Sequence, residues 1–74
     1  MVKYTIQERI MHYEAGELSP AESVFLFATI IGNGMVYAMD KDYVLMARRM
    51  MRLGIINELG EIDINSCIEN GIDI

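Results

Sequence analysis

The chain has 74 residues, a formal net charge of −5, a single cysteine and 53% hydrophobic residues. Its length allows one small domain, which buries only about 60% of the surface its unfolded chain exposes. Its isoelectric point near 4.6 removes the positive charge that supplies most non-specific nucleic-acid affinity.

From the N-terminus, Met1 to Tyr4 is followed at once by Glu8 and Arg9, with no apolar stretch of the kind a secretory leader needs. Thr5 and Glu8 have the spacing of a capping box. Ile6, Ile10 and Tyr13 then recur at helical spacing with Met11 beside them, which predicts a first helix over residues 6–15 ended by Gly16. Leu18 precedes a second box, Ser19 with Glu22, and is placed to staple onto Val24 or Phe25. Pro20 occupies the first helical position, where its missing N–H costs nothing.

The second helix, predicted over 20–31, opens a run of seventeen residues, Ser23 to Met39, without a charged side chain. A membrane span is excluded on length, since it needs about 20 apolar residues and Gly32-Asn33-Gly34 breaks this run after Ile31. The run must still be hidden from water. In so small a chain, with a mean hydropathy of +0.24, it implies cover from a second copy or another protein. Met35 to Met39 is expected as a short helical turn.

A third helix is predicted over 43–53, capped by Asp40 or Asp42 and ended by Gly54. Tyr43, Met46, Ala47, Met50 and Leu53 share one side of its wheel, widened by Val44 and Met51, while Arg48, Arg49 and Arg52 share the other. Leu45 falls among the arginines, out of place on a solvated face. Beyond Gly54 the chain turns acidic, with Glu58, Glu61, Asp63, Glu69 and Asp73 and no basic residue. Leu59-Gly60 is read as a hairpin turn between Ile55-Ile56 and Glu61–Ile64, and Ser66–Asn70 as a last helical turn. The expected fold is therefore all-α. It has a three-helix domain over 1–56 and an acidic extension over 57–74, irregular or hairpin-like, packed on it.

Several of these segments carry a resemblance. Tyr13-Glu14-x-Gly16-Glu17-Leu18-Ser19, the Glu22 cap, Leu26-Phe27, Ile30-Ile31 and Gly34-Met35-Val36-Tyr37 come in one order and spacing. Tyr43, Ala47, Met50-Met51 and Gly54-Ile55-Ile56 follow. In this the chain resembles a family of very small proteins encoded by tailed bacteriophages, over Ile6 to Ile56. Asp40-Lys41-Asp42 departs from that family's more neutral, glycine-containing turn. The resemblance implies a phage-encoded protein of the host cytoplasm and brings no activity with it.

Catalytic and metal chemistry have little to build on. His12 is the single histidine, with no metal or nucleophile companion. Ser19 and Ser66 are placed as caps, and Gly32-Asn33-Gly34 lacks the lysine and the strand-to-helix setting of a phosphate loop. The carboxylate pairs Glu14/Glu17 and Glu61/Asp63 are ordinary for an acidic chain. The methionines serve as core filler or as an adaptable binding surface. Cys67 has no internal partner for a disulfide, which suits a reducing compartment. No enzyme activity, cofactor or metal is expected.

A winged helix-turn-helix is the main alternative, with the third helix as reader and residues 55–64 as wing. It places Asp40 and Asp42 where such a helix reads DNA, and Glu58, Glu61 and Asp63 on the wing, against the charge it needs. The expectation is accordingly a non-catalytic accessory protein that binds a host factor, a defence factor or another phage protein and self-associates as a dimer. A minor assembly factor is a further alternative. Leu45, Met46, Arg48, Arg49 and Arg52 are the candidate partner contacts, the arginines otherwise pairing with the acidic tail, within one chain or between subunits. Phe25, Phe27, Ile30, Ile31, Met35 and Met50 are expected to line the core or a dimer seam.

Overall fold

Helix starts in this chain are made by side chains that take over hydrogen bonds the helix cannot supply at its own end. In the computed structural model, which describes residues 5–74, Thr5 Oγ1 accepts from Glu8 N at 3.1 Å and Glu8 Oε1 accepts from Thr5 N at 3.1 Å. Ser19 and Glu22 repeat the exchange at 3.1 and 2.8 Å. These boxes open α1 (Ile6–Glu14) and α2 (Pro20–Gly32). In each, the backbone N–H held by the glutamate keeps that carboxyl below its ordinary pKa. The leader reading, made on Met1 to Tyr4, lies outside the described residues.

After α2, Asn33 Oδ1 accepts from Met35 N at 2.9 Å and Gly34 takes a left-handed conformation. The chain then makes a single 3-10 turn, Met35–Ala38. α3 runs Lys41–Arg52, starting two residues earlier than the wheel suggested. Neither expected aspartate caps it: Asp40 occupies the cap position without a side-chain hydrogen bond. Its carbonyl instead accepts from Tyr43 N at 3.0 Å, while Asp42 lies in the first turn, where the helix dipole favours a carboxylate. At the far end Gly54 N bonds Met51 O and Ile55 N bonds Met50 O, a Schellman closure that needs the left-handed Gly54.

The acidic tail holds a bridged turn and a short helix. Ile56 and Ile62 form an isolated antiparallel bridge, and Asp63 N bonds Ile55 O at 2.9 Å. Asn57 Oδ1 holds the intervening turn by accepting from Leu59 N and Glu61 N. Asp63 then caps a short helix, α4 (Ile64–Glu69). Four α-helices and no strand are found among the described residues, and the fold is all-α.

The core is one cluster drawn from both sides of residue 56. Val24, Leu26, Phe27, Ile30 and Ile31 of α2 meet Val36, Tyr43, Ala47, Met50, Ile55, Ile56 and Cys67. Ile62 and Ile72 of the tail pack against it, as does Met35, which is only half buried. The tail reaches α2 because Gly60 has no side chain. A Cβ at Gly60 would stand 2.5 Å from Ala28 O and 2.8 Å from Gly32 Cα, and one at Gly32 would stand 3.2 Å from Leu59 O. Two backbones therefore touch at the C-terminal turn of α2. Gly32 is the last residue of that helix, and at this position it permits the contact as well as preceding the break.

The expectation that α2 needs an outside partner is thus met differently. Its apolar sides are covered by the chain itself, except at Phe25, which is 46% exposed and lies outside the core.

Replacing Gly60 with Ala is predicted to cost about 2–5 kcal/mol, combining left-handed strain of about 1–2 kcal/mol with overpacking of about 1–3 kcal/mol. Gly34→Ala, where a Cβ meets open space at a similar φ, should show the strain alone. Urea unfolding of the two variants compares them directly. Equal losses would mean that the Gly60 contact does not constrain the fold.

Candidate functional site

α3 owes its position to a three-ring cluster. Phe27 of α2 meets Tyr13 of α1 edge-on with centroids 5.3 Å apart, and stacks on Tyr43 of α3 at 6.0 Å. Tyr13 and Tyr43 themselves lie 5.7 Å apart. Each such pair contributes about 0.5–1.5 kcal/mol beyond its burial, so the rings set how α3 is turned about its axis. Tyr43, Ala47 and Met50 point inward. The opposite side is left to solvent.

That outer side holds most of the residues singled out from the sequence. Arg48, Arg49 and Arg52 are exposed, and Leu45, 49% exposed, sits almost diametrically opposite the buried arc at 100° per residue. Met46 differs from its neighbours: it is half buried and packs against the core, leaving one edge for contact. Leu53, expected on the buried side, is 43% exposed. It is the C-cap residue, where the chain leaves the helical wheel. Of the residues expected to line the core or a seam, Phe27, Ile30, Ile31 and Met50 are buried.

The arginines do not pair with the tail inside one chain. Among the described residues none of the three guanidinium groups has an ion-pair or hydrogen-bond partner. Two of the tail carboxylates are engaged locally instead, Glu61 by Asn57 Nδ2 at 2.8 Å and Asp63 by Ser66 N at 3.1 Å. Short-range turn and cap bonds place these groups before any arginine can reach them.

Beside the N-terminal end of α3 lies an open cleft of about 360 Å³ lined by Tyr13, Glu14, Asp42 and Tyr43. Its lining joins two acidic and two aromatic residues drawn from two helices. Tyr43 Oη donates to Glu14 Oε2 at 2.7 Å, which leaves Glu14 Oε1 free of that bond and fixes the carboxylate at the rim. This pairing joins residues 29 apart in sequence, and no local pattern announced it. Burial first, then the Glu14 hydrogen bond and charge, push the Tyr43 phenol far above its ordinary value of 10.0.

Two further concavities differ in character. Arg9, His12, Leu18, Glu22 and Phe25 line a cavity of about 70 Å³, and Leu18, half buried, packs against the core cluster. The tail turn and the start of α4 line an open, polar hollow of about 480 Å³. Among the described residues no group of three or more His, Cys, Asp or Glu is placed to hold a metal ion. No helix among them is long and apolar enough to cross a membrane. Cys67 is fully buried, and desolvation raises its thiol pKa, which makes it a poor nucleophile.

Fold and surface together define a small all-α protein whose most distinctive exposed feature is an arginine-flanked apolar helix face beside an acidic aromatic cleft. The chain belongs to the family described as a domain of unknown function, DUF7417, whose model matches residues 2–70. Neither the curated proteins nor the solved structures give a significant match. The family match runs through the acidic tail, beyond the stretch that carried the resemblance read from the sequence.

Tyr43→Phe is predicted to lower stability by about 1 kcal/mol through loss of the bond to Glu14. The sign of its pH effect follows from linkage. Above about pH 10 the unfolded chain releases the phenolic proton while the folded chain keeps it, so stability is full below that pH and falls as pH rises. Urea unfolding between neutral and strongly alkaline pH should show a shallower alkaline loss in the Phe variant.

Proposed function

We propose that this is a small phage-encoded accessory protein of the host cytoplasm that acts by binding another protein and performs no chemistry of its own. One observation carries the reading: Leu45 stands at the outermost line of α3, half exposed, between arginines that have no partner among the described residues. An apolar residue flanked by arginines, on a rigid helix, is the composition of a contact surface rather than of a solvated one. Met46 and Leu53 extend it along one flank. Self-association belongs to the same reading, because the surface combines apolar area with charges of both signs along one helix. The phage and host setting rests on the ordered short matches from Tyr13 to Ile56.

A DNA-binding role is the competing reading, drawn from the order α2, α3 and the bridged turn at Ile56 and Ile62. The carboxylates Glu58, Glu61 and Asp63 on that turn oppose a phosphate backbone.

Full-length protein carrying Arg48→Ala, Arg49→Ala and Arg52→Ala, and a second variant carrying Leu45→Asp, separate the two. Capture from bacterial host lysate should retain a protein partner on the native chain and lose it in both variants. Titration with duplex DNA should give only weak binding that the arginine changes barely alter. A strong, salt-dependent DNA affinity abolished by the triple change would reverse the assignment.

A further inference from the structure

We propose that the outer face of α3 binds the same face of a second copy, antiparallel, with Arg49 of each chain seated in the other chain's Tyr13–Glu14–Asp42–Tyr43 cleft. This inference rests on the protein-binding reading above and specifies one partner and one register for it.

The register is built into the helix. A two-fold interface is self-complementary, so each group must meet its counterpart at equal distance from the axis. With the axis between Leu45 and Met46, Asp42 and Arg49 lie at equal distances on opposite sides, each about 5 Å along the helix from it. They are two turns apart and so project within about 20° of each other on the wheel. Both are exposed, as Leu45 is. Pairing two copies this way buries Leu45 and the free edge of Met46 at the centre, with an Asp42–Arg49 pair at each side.

The cleft supplies the second part of the match. Its lining is acidic and aromatic, which suits a guanidinium on electrostatic and cation–π grounds. Glu14 closes α1, where the helix dipole also favours a cation. Neighbouring helices pack with axes about 8–10 Å apart, within the reach of an arginine crossing from one α3 to the cleft beside the other. Arg49 is also one of the cations with no partner inside its own chain among the described residues. Lys41, Arg48 and Arg52 lie to one side of the Asp42–Arg49 line, about 70° or more around the wheel from it.

The test is a charge-reversal exchange on the full chain. Light scattering over a concentration series should give twice the chain mass for the native protein. Asp42→Arg alone and Arg49→Asp alone should each weaken association at least about tenfold, because like charges then face each other across the axis. Mixed one to one, the two variants should form a heterodimer, since every facing pair is then opposite in charge. Circular dichroism checks that both exposed substitutions leave the helices intact. Native dimers whose variants associate unchanged would overturn this register and leave self-association standing. A native chain that stays monomeric at millimolar concentration would overturn the inference. Partner capture by the Leu45 face would then still decide the broader reading independently.

Discussion

The approach of the Gly60 backbone to the last turn of α2 is the contact on which the rest of this structure depends. α2 is apolar on nearly all sides, and a chain of this size has few elements with which to cover it. α1, the 3-10 turn and α3 cover part of the circumference. The remainder is closed by the segment from Ile55 to Ile62, which lies on Ala28 and Gly32 because Gly60 presents no Cβ, with Gly32 easing the approach. From there the chain carries Cys67 of α4 and Ile72 into the same core. A Cβ at Gly60 would collide with the α2 backbone and force the tail to shift, while one at Gly32 would need Leu59 to give by only a few tenths of an ångström.

Closing α2 from within changes what the protein surface means. A protein with so high a share of hydrophobic residues and so little interior would be expected to hide its central helix against a partner. Here the central helix is satisfied, and the surplus moves outward to Leu45, Leu53 and Phe25. The three-ring cluster determines which side of α3 is left over, because Tyr43 must face Phe27 and Tyr13. Once Tyr43, Ala47 and Met50 are turned inward, Leu45 and the arginines have no position other than the outside. The same constraint brings Asp42 beside Glu14 and opens the acidic cleft next to the cationic face. Core packing on one side of α3 thereby creates the complementary charges on the other.

Much of the fold is legible from local chemistry. Thr5 with Glu8 and Ser19 with Glu22 place two helix starts because a capping box is completed within four residues. Gly54 closes α3 through hydrogen bonds no more than five residues long. Leu59-Gly60 signals the turn that the Ile56–Ile62 bridge completes. The errors share another cause. Asp40 and Asp42 do not cap α3, since a cap depends on a rotamer that the incoming chain direction decides. Leu53 leaves the buried arc because the helix stops one residue before it. Phe25 lies outside the core, beside a small cavity that it lines with Arg9 and His12 of α1.

For the candidate face the division is sharper. Periodicity alone placed Arg48, Arg49 and Arg52 on one arc and marked Leu45 as out of place, because a helical wheel is a property of a single segment. It said nothing of the Glu14–Tyr43 hydrogen bond or of the cleft, which join helices far apart in sequence. It paired the arginines with the tail carboxylates, within or between subunits; within the chain no such pair forms among the described residues, and Glu61 and Asp63 are held by Asn57 and the α4 cap. What the sequence by itself determined is the set of helices, their punctuation and the amphipathic face of α3, all governed by interactions within one or two turns. Only the tertiary structure decided that α2 is covered by its own tail, that the arginines have no partner among the described residues and that Glu14 bonds Tyr43 beside an acidic, aromatic cleft. These depend on backbone approach and ring packing between segments, for which a single sequence carries no local signature.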